Sequence, residues 1–197
     1  MRLSDEELVE AFQRGDASAF DQLVSRWERK IQGAIYRIVG SGEDARDLCQ
    51  EAFLKAYRGL GSFKREARFS SWLYQIAVNS CRDRMRRQRG KITVSLDEMS
   101  EKGDLPFRGE GPSALDLMEA GDLSKTVAAA VRSLPEEQRE VIVLKEYQDL
   151  TFLEIAEALD VPVSTVKTRL YRGLTQLKQR LVRQGIRSAT TIPAPTH

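Results

Sequence analysis

The sequence predicts an all-α protein made of two small helical domains joined by a flexible acidic linker. Apolar residues recur at helical spacing through most of the chain, and the alternation typical of strands is scarce. This periodicity lapses once, in a stretch rich in glycine, proline and acidic residues. A chain of 197 residues is long enough for two small domains. The predicted divisions are a first domain at 1–91, a linker at 92–121, a second domain at 122–183 and a tail at 184–197.

The first domain should contain four helices, each with an apolar stripe that faces a shared core. Ser4 and Glu7 have the spacing of a capping box and predict the start of the first helix. The remaining helices should span about 17–39, 43–60 and 71–89, with glycines ending the second. In the second domain we expect shorter helices. Their predicted ranges are about 122–132, 135–147, 151–159 and 164–183.

Composition excludes most kinds of catalytic site. The hydrophobic fraction of 41% and charged fraction of 30% are typical of a globular protein. The only histidine is His197, so histidine-based triads and HExxH zinc sites are impossible, and no glycine-rich nucleotide loop is present. Cys49 and Cys81 are too far apart for a CxxC motif and are predicted to be buried reduced thiols. We therefore expect neither an enzyme nor a bound metal, cofactor or small-molecule substrate.

The cellular location is predicted from the start of the chain and from its hydropathy. Charged residues follow Met1 closely, and nowhere do about 18 apolar residues run together. Neither a secretion signal nor direct insertion into a membrane is expected. The sequence therefore predicts a cytoplasmic protein.

The net charge of +2 conceals a strong segregation of charge along the chain. Six basic residues and one acid lie between Arg82 and Lys91, whereas eight acids and two basic residues lie between Asp97 and Asp122. After Val161 the chain has seven basic residues and no acid. Such blocks are often only solvated helix faces, but a basic block in each domain is typical of a protein that binds a polyanion. Nucleic acid is the partner that this pattern favours.

The segment from residue 150 to 170 has the spacing of a helix-turn-helix. Val166 and Leu170 are expected to pack inward, and Ser164 is predicted to cap the second helix. A rotation of ~100° per residue then places a set of polar and basic side chains at the outer face. These residues, suited to contacts in the DNA major groove, are Thr165, Lys167, Thr168, Tyr171 and Arg172. A helical hairpin with a merely solvated basic face is the structural alternative, and the absence of acids weighs against it.

Two features of the first domain predict function beyond packing. An acidic stripe on the third helix contains Asp44, Asp47 and Glu51, joined by Gln50, and the helix dipole accounts for Asp44 but not for Glu51. The second feature is a mixture of aromatic and basic residues over 61–79, just before the arginine block. Aromatic rings beside cations can stack unpaired bases, and an asparagine amide can hydrogen-bond the edge of a flipped base.

Taken together, three motifs resemble the extracytoplasmic-function (ECF) sigma factors, the small two-domain sigma subunits of bacterial RNA polymerase. The first motif is the acidic helix segment 43–57, the second is 69–79, and the third is 134–141 leading into the helix-turn-helix. Their order, and the linker between the second and third, make the combination specific although each motif alone is weak. The resemblance covers most of the chain and implies a region 2-like bundle followed by a region 4-like helix-turn-helix.

The resemblance implies a function as an alternative sigma factor that binds core RNA polymerase, directs it to specific promoters and promotes DNA melting. The residues implied for docking on the β′ clamp helices are Asp44, Asp47, Gln50 and Glu51. Those implied for the minus-ten element are Phe63, Ile76, Ala77 and Asn79 for a flipped base, with Arg82, Arg84, Arg86 and Arg87 for phosphates. Those at positions that bind the minus-thirty-five element are Ser164, Thr165, Lys167, Thr168, Tyr171 and Arg172.

Further partners follow from the same resemblance. The acidic linker resembles the connector that threads toward the polymerase active-site and RNA-exit channels, so contacts with the β subunit are implied as well. An anti-sigma factor that clamps the two domains is also implied. The loop at 64–68 is more cationic than in many family members, and the tail after Arg183 is outside the shared pattern.

Two other functions are compatible with parts of the sequence. A free-standing helix-turn-helix regulator would bind duplex DNA as a dimer and would not need the acidic stripe on the third helix. A helical enzyme or RNA-binding protein is the second alternative. Association with core polymerase distinguishes both from a sigma factor.

Overall fold

The computed structural model describes residues 3–64, 67–96 and 122–183, and these form helices, turns and loops without any strand. The all-α prediction is confirmed. Most of the predicted linker and the whole predicted tail lie outside the described residues. The first-domain helices are α1 (Asp5–Gln13), α2 (Ser18–Val39), α3 (Gly42–Leu60) and α4 (Phe69–Leu96). The second-domain helices are α5 (Asp122–Arg132), α6 (Glu136–Ile142), α7 (Phe152–Leu159) and α8 (Val163–Arg183), with a π-helical turn at Val143–Tyr147.

The start of α1 and the end of α2 follow the predicted signals. The Ser4 hydroxyl accepts a hydrogen bond from the Glu7 amide, and the Glu7 carboxylate accepts one from the Ser4 amide, which completes the capping box. Gly40 ends α2 with φ of 82°, a left-handed conformation that glycine adopts without steric cost. Ser41 then caps α3, because its hydroxyl accepts a hydrogen bond from the Asp44 amide.

The fourth helix is longer than predicted at both ends. It begins at Phe69 and continues to Leu96, whereas the periodicity predicted about 71–89. Gly90 weakens a helix by only about 1 kcal/mol, and no proline follows before Pro106. A glycine alone is therefore a poor stop signal here.

The helix-turn-helix differs from the prediction in how its helices begin. Thr151 forms a capping box with Glu154 at the start of α7. The prediction that Ser164 caps the second helix is wrong, because α8 already begins at Val163. Amides of the first turn instead bond to the Pro162 carbonyl, and the Ser164 carbonyl accepts a bond from the Thr168 hydroxyl. Proline before a helix supplies a carbonyl without needing a partner for its own nitrogen.

The predicted helix at 135–147 is divided in two. Its α-helical part ends at Ile142, and a π-helical turn follows as far as Tyr147. After the turn, the Leu150 amide donates a hydrogen bond to the Leu144 carbonyl, with an N···O distance of 3.2 Å. Periodicity alone does not distinguish an α-turn from a π-turn, since both keep apolar residues facing the core.

A single cluster of buried apolar side chains extends through both domains. The apolar face predicted for α3 is confirmed, since Ala45, Leu48, Ala52, Phe53, Ala56 and Leu60 are all buried. Cys49 and Cys81 are buried free thiols, as predicted. Burial, with a smaller contribution from Glu28, raises the pKa of Cys49 to about 11.

Two features are absent from the described part of the chain. It contains no helix that is both long and apolar enough to cross a membrane. It also contains no group of three or more acidic, cysteine or histidine side chains placed to hold a metal ion.

Candidate nucleic-acid interface

The acidic stripe of α3 is only partly open to solvent. Asp47 and Gln50 are exposed, and Glu51 is half-buried, with its carboxylate 2.6 Å from the Lys55 ammonium. Lys55 also donates a hydrogen bond to the buried Ser80 hydroxyl, which ties the middle of α3 to α4. The stripe therefore presents its most accessible negative charge at Asp47.

The Asp44 carboxylate already has hydrogen-bonding partners within the first domain. Its carboxylate forms an ion pair with Arg84 and accepts a long hydrogen bond, 3.4 Å, from the Gln88 amide. Only 15% of the Asp44 side chain is exposed. The structure thus joins Asp44, predicted to bind the polymerase, with Arg84, predicted to bind DNA phosphate, in one contact between α3 and α4.

Aromatic packing surrounds the residues predicted to hold a flipped base. Phe63 and Trp72 have ring centroids 4.8 Å apart, and both rings are partly buried. Ile76 is half-buried and Asn79 is exposed, whereas Ala77 is only 2% exposed. Asn79 therefore offers the most accessible polar group of this set, and Ala77 can contribute only to the floor of a pocket.

A small cavity lies beside this aromatic pair. It has a volume of about 270 Å³ and is lined by Phe63, Ala67, Arg68 and Phe69, by residues of α1 and by Glu157 from the second domain. One carboxylate oxygen of Glu157 is buried without a hydrogen-bond partner. The second domain thus closes one side of the cavity.

The four arginines predicted to bind minus-ten phosphates differ in their solvent exposure and in their ion pairs. Arg87 is exposed on α4, and Arg86 is exposed with a 3.3 Å contact to Asp83 on the same helix. Arg84 pairs with Asp44, as described above. Arg82 is half-buried and pairs with Glu140 of the second domain.

The pair between Arg82 and Glu140 joins the two domains. Two guanidinium nitrogens of Arg82 donate to the two carboxylate oxygens of Glu140, at 2.8 and 2.6 Å, and the Glu140 side chain is fully buried. Burial raises the pKa of Glu140, although the hydrogen bonds from Arg82 oppose this effect. The same hydrogen bonds raise the pKa of Arg82. Paired in this way, the carboxylate satisfies both of its oxygens without contact with water.

Further polar contacts between the domains lie on either side of this pair. The Arg89 guanidinium lies 2.9 Å from Glu136. The Arg68 guanidinium lies 2.7 Å from Glu154, which is itself part of the capping box of α7. The Tyr74 hydroxyl donates to Gln148, at 2.8 Å, and the Arg139 guanidinium of the second domain donates to the Ile38 carbonyl, at 2.5 Å.

Between the domains lies an open cleft of about 850 Å³ with mixed charge. The first domain contributes Asn79 and Arg86, and the second contributes Glu137, Asp160 and Arg169, among others. Asn79 and Arg86, both predicted to bind the minus-ten element, therefore face the second domain across this cleft.

The recognition helix α8 presents the predicted basic face to solvent. Lys167, Thr168 and Arg172 are exposed, as is Ser164 in the first turn. Thr165 and Tyr171 are half-buried at the edges of this face. Val166 and Leu170 are buried on the opposite side, as predicted.

Sequence reasoning missed the glutamates of the second domain that meet the first. Glu136 and Glu140 lie in the motif at 134–141 and Glu154 lies in the predicted helix at 151–159, but no local pattern predicts their partners. A weak signal was available, because Glu140 directly precedes the apolar run at 141–144. A charge in such a place is buried only when it has a partner.

Comparison with known proteins supports the assignment of both domains. The model of sigma-70 region 2 matches residues 23–91, and that of sigma-70 region 4 matches residues 124–177. The chain is 36% identical over 184 residues to the RNA polymerase sigma-H factor of Pseudomonas aeruginosa, covering 90% of this chain and 93% of that protein. It is 40% identical over 178 residues to the ECF RNA polymerase sigma-E factor of Escherichia coli K12, covering 87% and 91%.

Two solved complexes contain a chain with the same arrangement of helices. CnrH, solved in complex with the cytosolic domain of CnrY, superposes with a TM-score of 0.69 at 26% identity, covering 91% of this chain and 97% of that one. The sigma factor RpoE of Bartonella quintana, solved in complex with the anti-sigma factor NepR, superposes with a TM-score of 0.64 at 22% identity, covering 83% and 96%. The similarity to RpoE of Bartonella quintana shows a shared fold and no more.

Two helical domains, one with a basic helix-turn-helix and the other with an aromatic and arginine-rich face, define a promoter-recognition subunit of the sigma-70 type. Within that class, the chain belongs to the extracytoplasmic-function sigma factors. It is an alternative sigma factor, and the free-standing regulator is not favoured.

Proposed function

We propose that the three predicted residue sets carry the three contacts of a sigma factor, with roles weighted by their accessibility. The exposed face of α3 around Asp47 and Gln50 docks on the β′ clamp helices of core polymerase. Glu51 contributes at the edge of that face. Asp44 acts chiefly by positioning, since it holds Arg84 against the first domain.

The minus-ten element is bound by the face of α4 and the loop before it. Asn79 hydrogen-bonds the edge of a flipped base, and Phe63, stacked on Trp72, supplies an apolar surface beside it. Arg86 and Arg87 meet backbone phosphates directly, and Arg82 joins them once it leaves Glu140. No bond of the DNA is made or broken, because binding the open strand offsets the cost of unstacking a base.

The minus-thirty-five element is bound in the major groove by α8. The single observation that carries this assignment is the exposed row of Lys167, Thr168 and Arg172 on a helix without any acidic residue. Lysine and arginine suit guanine edges, and threonine suits a methyl or hydroxyl contact. Tyr171 and Thr165 lie at the flanks of this row and contact the backbone.

Several partners belong to the same proposal. Contacts of the acidic linker with the β subunit, and control by an anti-sigma factor, follow from family membership. CnrH, whose fold this chain shares, was solved in complex with the cytosolic domain of CnrY, and that complex supports a protein partner for this chain. The chain acts by binding and not by catalysis, and it works in the cytoplasm, where its polymerase partner would be.

The experiment that tests the proposal is run-off transcription with purified core polymerase. The chain should yield promoter-specific transcripts, and sequencing them on genomic DNA would give the promoter letters. Reversing the charge of both Asp47 and Glu51 should abolish association with core while the second domain keeps its DNA contact. If core association survives that double substitution, the docking face is assigned wrongly.

A further inference from the structure

We propose that Gln13 is a positioning residue for capture of the flipped minus-ten base, because its side-chain amide fixes the stretch of backbone that carries Phe63. Gln13 is the last residue of α1 and lies 50 residues before Phe63 in the sequence. The proposal rests on the role proposed above for Phe63 and deepens it. It makes selectivity for the flipped base depend on a side chain that does not itself touch DNA.

A single amide group makes both of the hydrogen bonds on which the proposal depends. Nε2 of Gln13 donates to the carbonyl of Leu60 and to the carbonyl of Phe63, each at 3.0 Å. A side-chain amide nitrogen has two N–H donors, so both are used. Leu60 is the last residue of α3, and carbonyls in a final helical turn lack partners within their own helix. Gln13 therefore caps α3 from a neighbouring helix.

The turn that follows α3 leads the chain directly to this cap. The Ser62 amide donates to the Gly59 carbonyl at 3.1 Å, and the Phe63 amide donates to the Leu60 carbonyl at 3.2 Å. The Leu60 carbonyl thus accepts one bond from Phe63 and one from Gln13. Without the Gln13 amide, the Phe63 carbonyl loses its bond to α1, and the direction in which the chain leaves α3 is defined less tightly.

The ring of Phe63 is held by Trp72. The two ring centroids lie 4.8 Å apart with an angle of 35° between the planes. Trp72 can occupy this place because residue 59 is a glycine, where a Cβ would lie 3.1 Å from Cζ2 of Trp72. The backbone of Phe63 is therefore fixed by Gln13 and its ring by Trp72, while the residue stays half-buried and open to a ligand.

Gln13 is itself held in place by the residue before it. The Phe12 ring packs edge-on against Tyr57 of α3, with centroids 5.3 Å apart, and lies 5.8 Å from the ring of Phe20 of α2. Aromatic contacts of this kind fix the end of α1 against both helices. The amide of Gln13 therefore reaches the two carbonyls from a rigid support, which is the usual requirement for precise placement of a functional group.

Loss of this support should weaken base capture in particular. A surface that is ordered before binding gives a higher affinity than one that must be ordered during binding. When the binding-competent conformation is only partly populated, the affinity falls by that fraction. Removing the amide should therefore reduce the contribution of the flipped base and leave other promoter contacts unchanged. A role in folding alone would instead weaken the binding of every fragment by the same factor.

The test measures how much the flipped base contributes to promoter binding by the holoenzyme. Core polymerase carrying the full chain is titrated with promoter fragments whose minus-ten region is unpaired and in which each minus-ten base in turn is replaced by an abasic site. The wild-type holoenzyme should lose most affinity when the flipped base is removed. Gln13→Met keeps the length of the side chain without its donors. In this variant the loss should be about fivefold smaller, the usual net effect of a hydrogen bond.

Three further variants control the comparison. Gln13→Lys keeps donors for both carbonyls and should retain the wild-type ratio of intact to abasic affinity, even where its charge raises both affinities. Gln22→Met makes the same substitution at an exposed glutamine of α2 and should leave the ratio unchanged. Gln13→Asn is one methylene too short to reach both carbonyls, and it carries the test if Gln13→Met does not fold.

The outcomes separate this proposal from the function on which it rests. An unchanged ratio in folded Gln13→Met overturns the proposal, and so does an equal weakening of intact and abasic fragments. Phe63→Leu is measured beside it and should also reduce the ratio. If Phe63→Leu reduces the ratio and Gln13→Met does not, only the role of Gln13 is wrong. If Phe63→Leu leaves the ratio unchanged, the role proposed for Phe63 fails, and that of Gln13 fails with it.

Discussion

Asp44 and Asp47 lie almost one helical turn apart on α3, yet their surroundings differ. Asp44 is tied to Arg84 and Gln88 on α4, whereas Asp47 is exposed. An acid that already has partners stabilises the fold, and an acid without partners in the described contacts is available to another molecule. Both residues share one sequence motif, so the difference becomes visible only when α4 is placed against α3.

Substituting asparagine at each position should separate the two roles. Asp44→Asn should lower the free energy of unfolding by about 1 kcal/mol, because Arg84 loses a charged partner. Asp47→Asn should change it by less than about 0.5 kcal/mol, as is usual at an exposed site. Urea unfolding measures the change in the free energy of unfolding for each variant. Core association should fall more for Asp47→Asn, and the reverse order of effects would contradict the assignment.

The two cysteines give a second prediction at this scale. Only a thiolate is nucleophilic, and burial raises the pKa of Cys49 to about 11 and raises that of Cys81 as well. At pH 8 the folded chain should therefore react very slowly with an aromatic disulfide reagent, and both thiols should react once urea unfolds it. Rapid labelling of either cysteine in the folded chain would show that its surroundings are more open than described.

At the scale of elements, the close contact of α6 with α8 depends on Gly173. A Cβ at this position would lie 2.8 Å from Cδ1 of Ile142 and 3.2 Å from Cβ of Gln138. The two helices therefore approach more closely than any other side chain at residue 173 allows. This approach sets the angle at which α8 leaves the body of the second domain with its basic face outward.

Gly173→Ala should destabilise the protein although alanine favours a helix. The helix propensity gained is up to about 1 kcal/mol, whereas overpacking costs about 1–3 kcal/mol. Ile142→Val removes the methyl group that is closest to the new Cβ, so the double variant should lose less stability than the sum of the single losses. Thermal unfolding gives the comparison. Strict additivity would mean that Ile142 is not the obstacle.

The start of α7 gives a prediction that depends on pH. Burial raises the pKa of Glu154, but hydrogen bonds from Thr151 and the contact with Arg68 outweigh it, and the net effect lowers that pKa. A lowered carboxyl pKa stabilises the folded state above its ordinary value of 4.5, and this contribution is lost as pH falls through the folded value. Thr151→Ala should cost about 1 kcal/mol near neutral pH. The loss of stability in Thr151→Ala should be smaller in acid, where Glu154 is protonated. An equal loss at pH 7 and pH 3 would contradict this prediction.

How much the sequence reveals differs between elements. The apolar face of α3 and the capping box at Ser4 follow from local spacing, and both are confirmed. The π-turn after Ile142 and the start of α8 before Ser164 depend on hydrogen bonds that spacing does not encode. The partners of Arg82 and Arg68 are remote in sequence, 58 and 86 residues away, so no local pattern could identify them.

At the scale of the whole molecule, the two surfaces proposed to bind the promoter differ in accessibility. The basic face of α8 is exposed, whereas Arg82, which belongs to the face proposed for the minus-ten element, pairs with Glu140 of the second domain. Each module alone is small, and simultaneous engagement of two linked modules gains affinity only when their geometry permits it. The polymerase would supply that geometry.

The affinity of the chain for a promoter fragment, measured with and without core polymerase, tests this account most directly. The fragment should contain both promoter elements with an unpaired minus-ten region. Binding by the free chain should be weak and should come mainly from the minus-thirty-five element, whereas the holoenzyme should bind tightly and depend on both elements. Equally tight binding of both elements by the free chain would contradict the account.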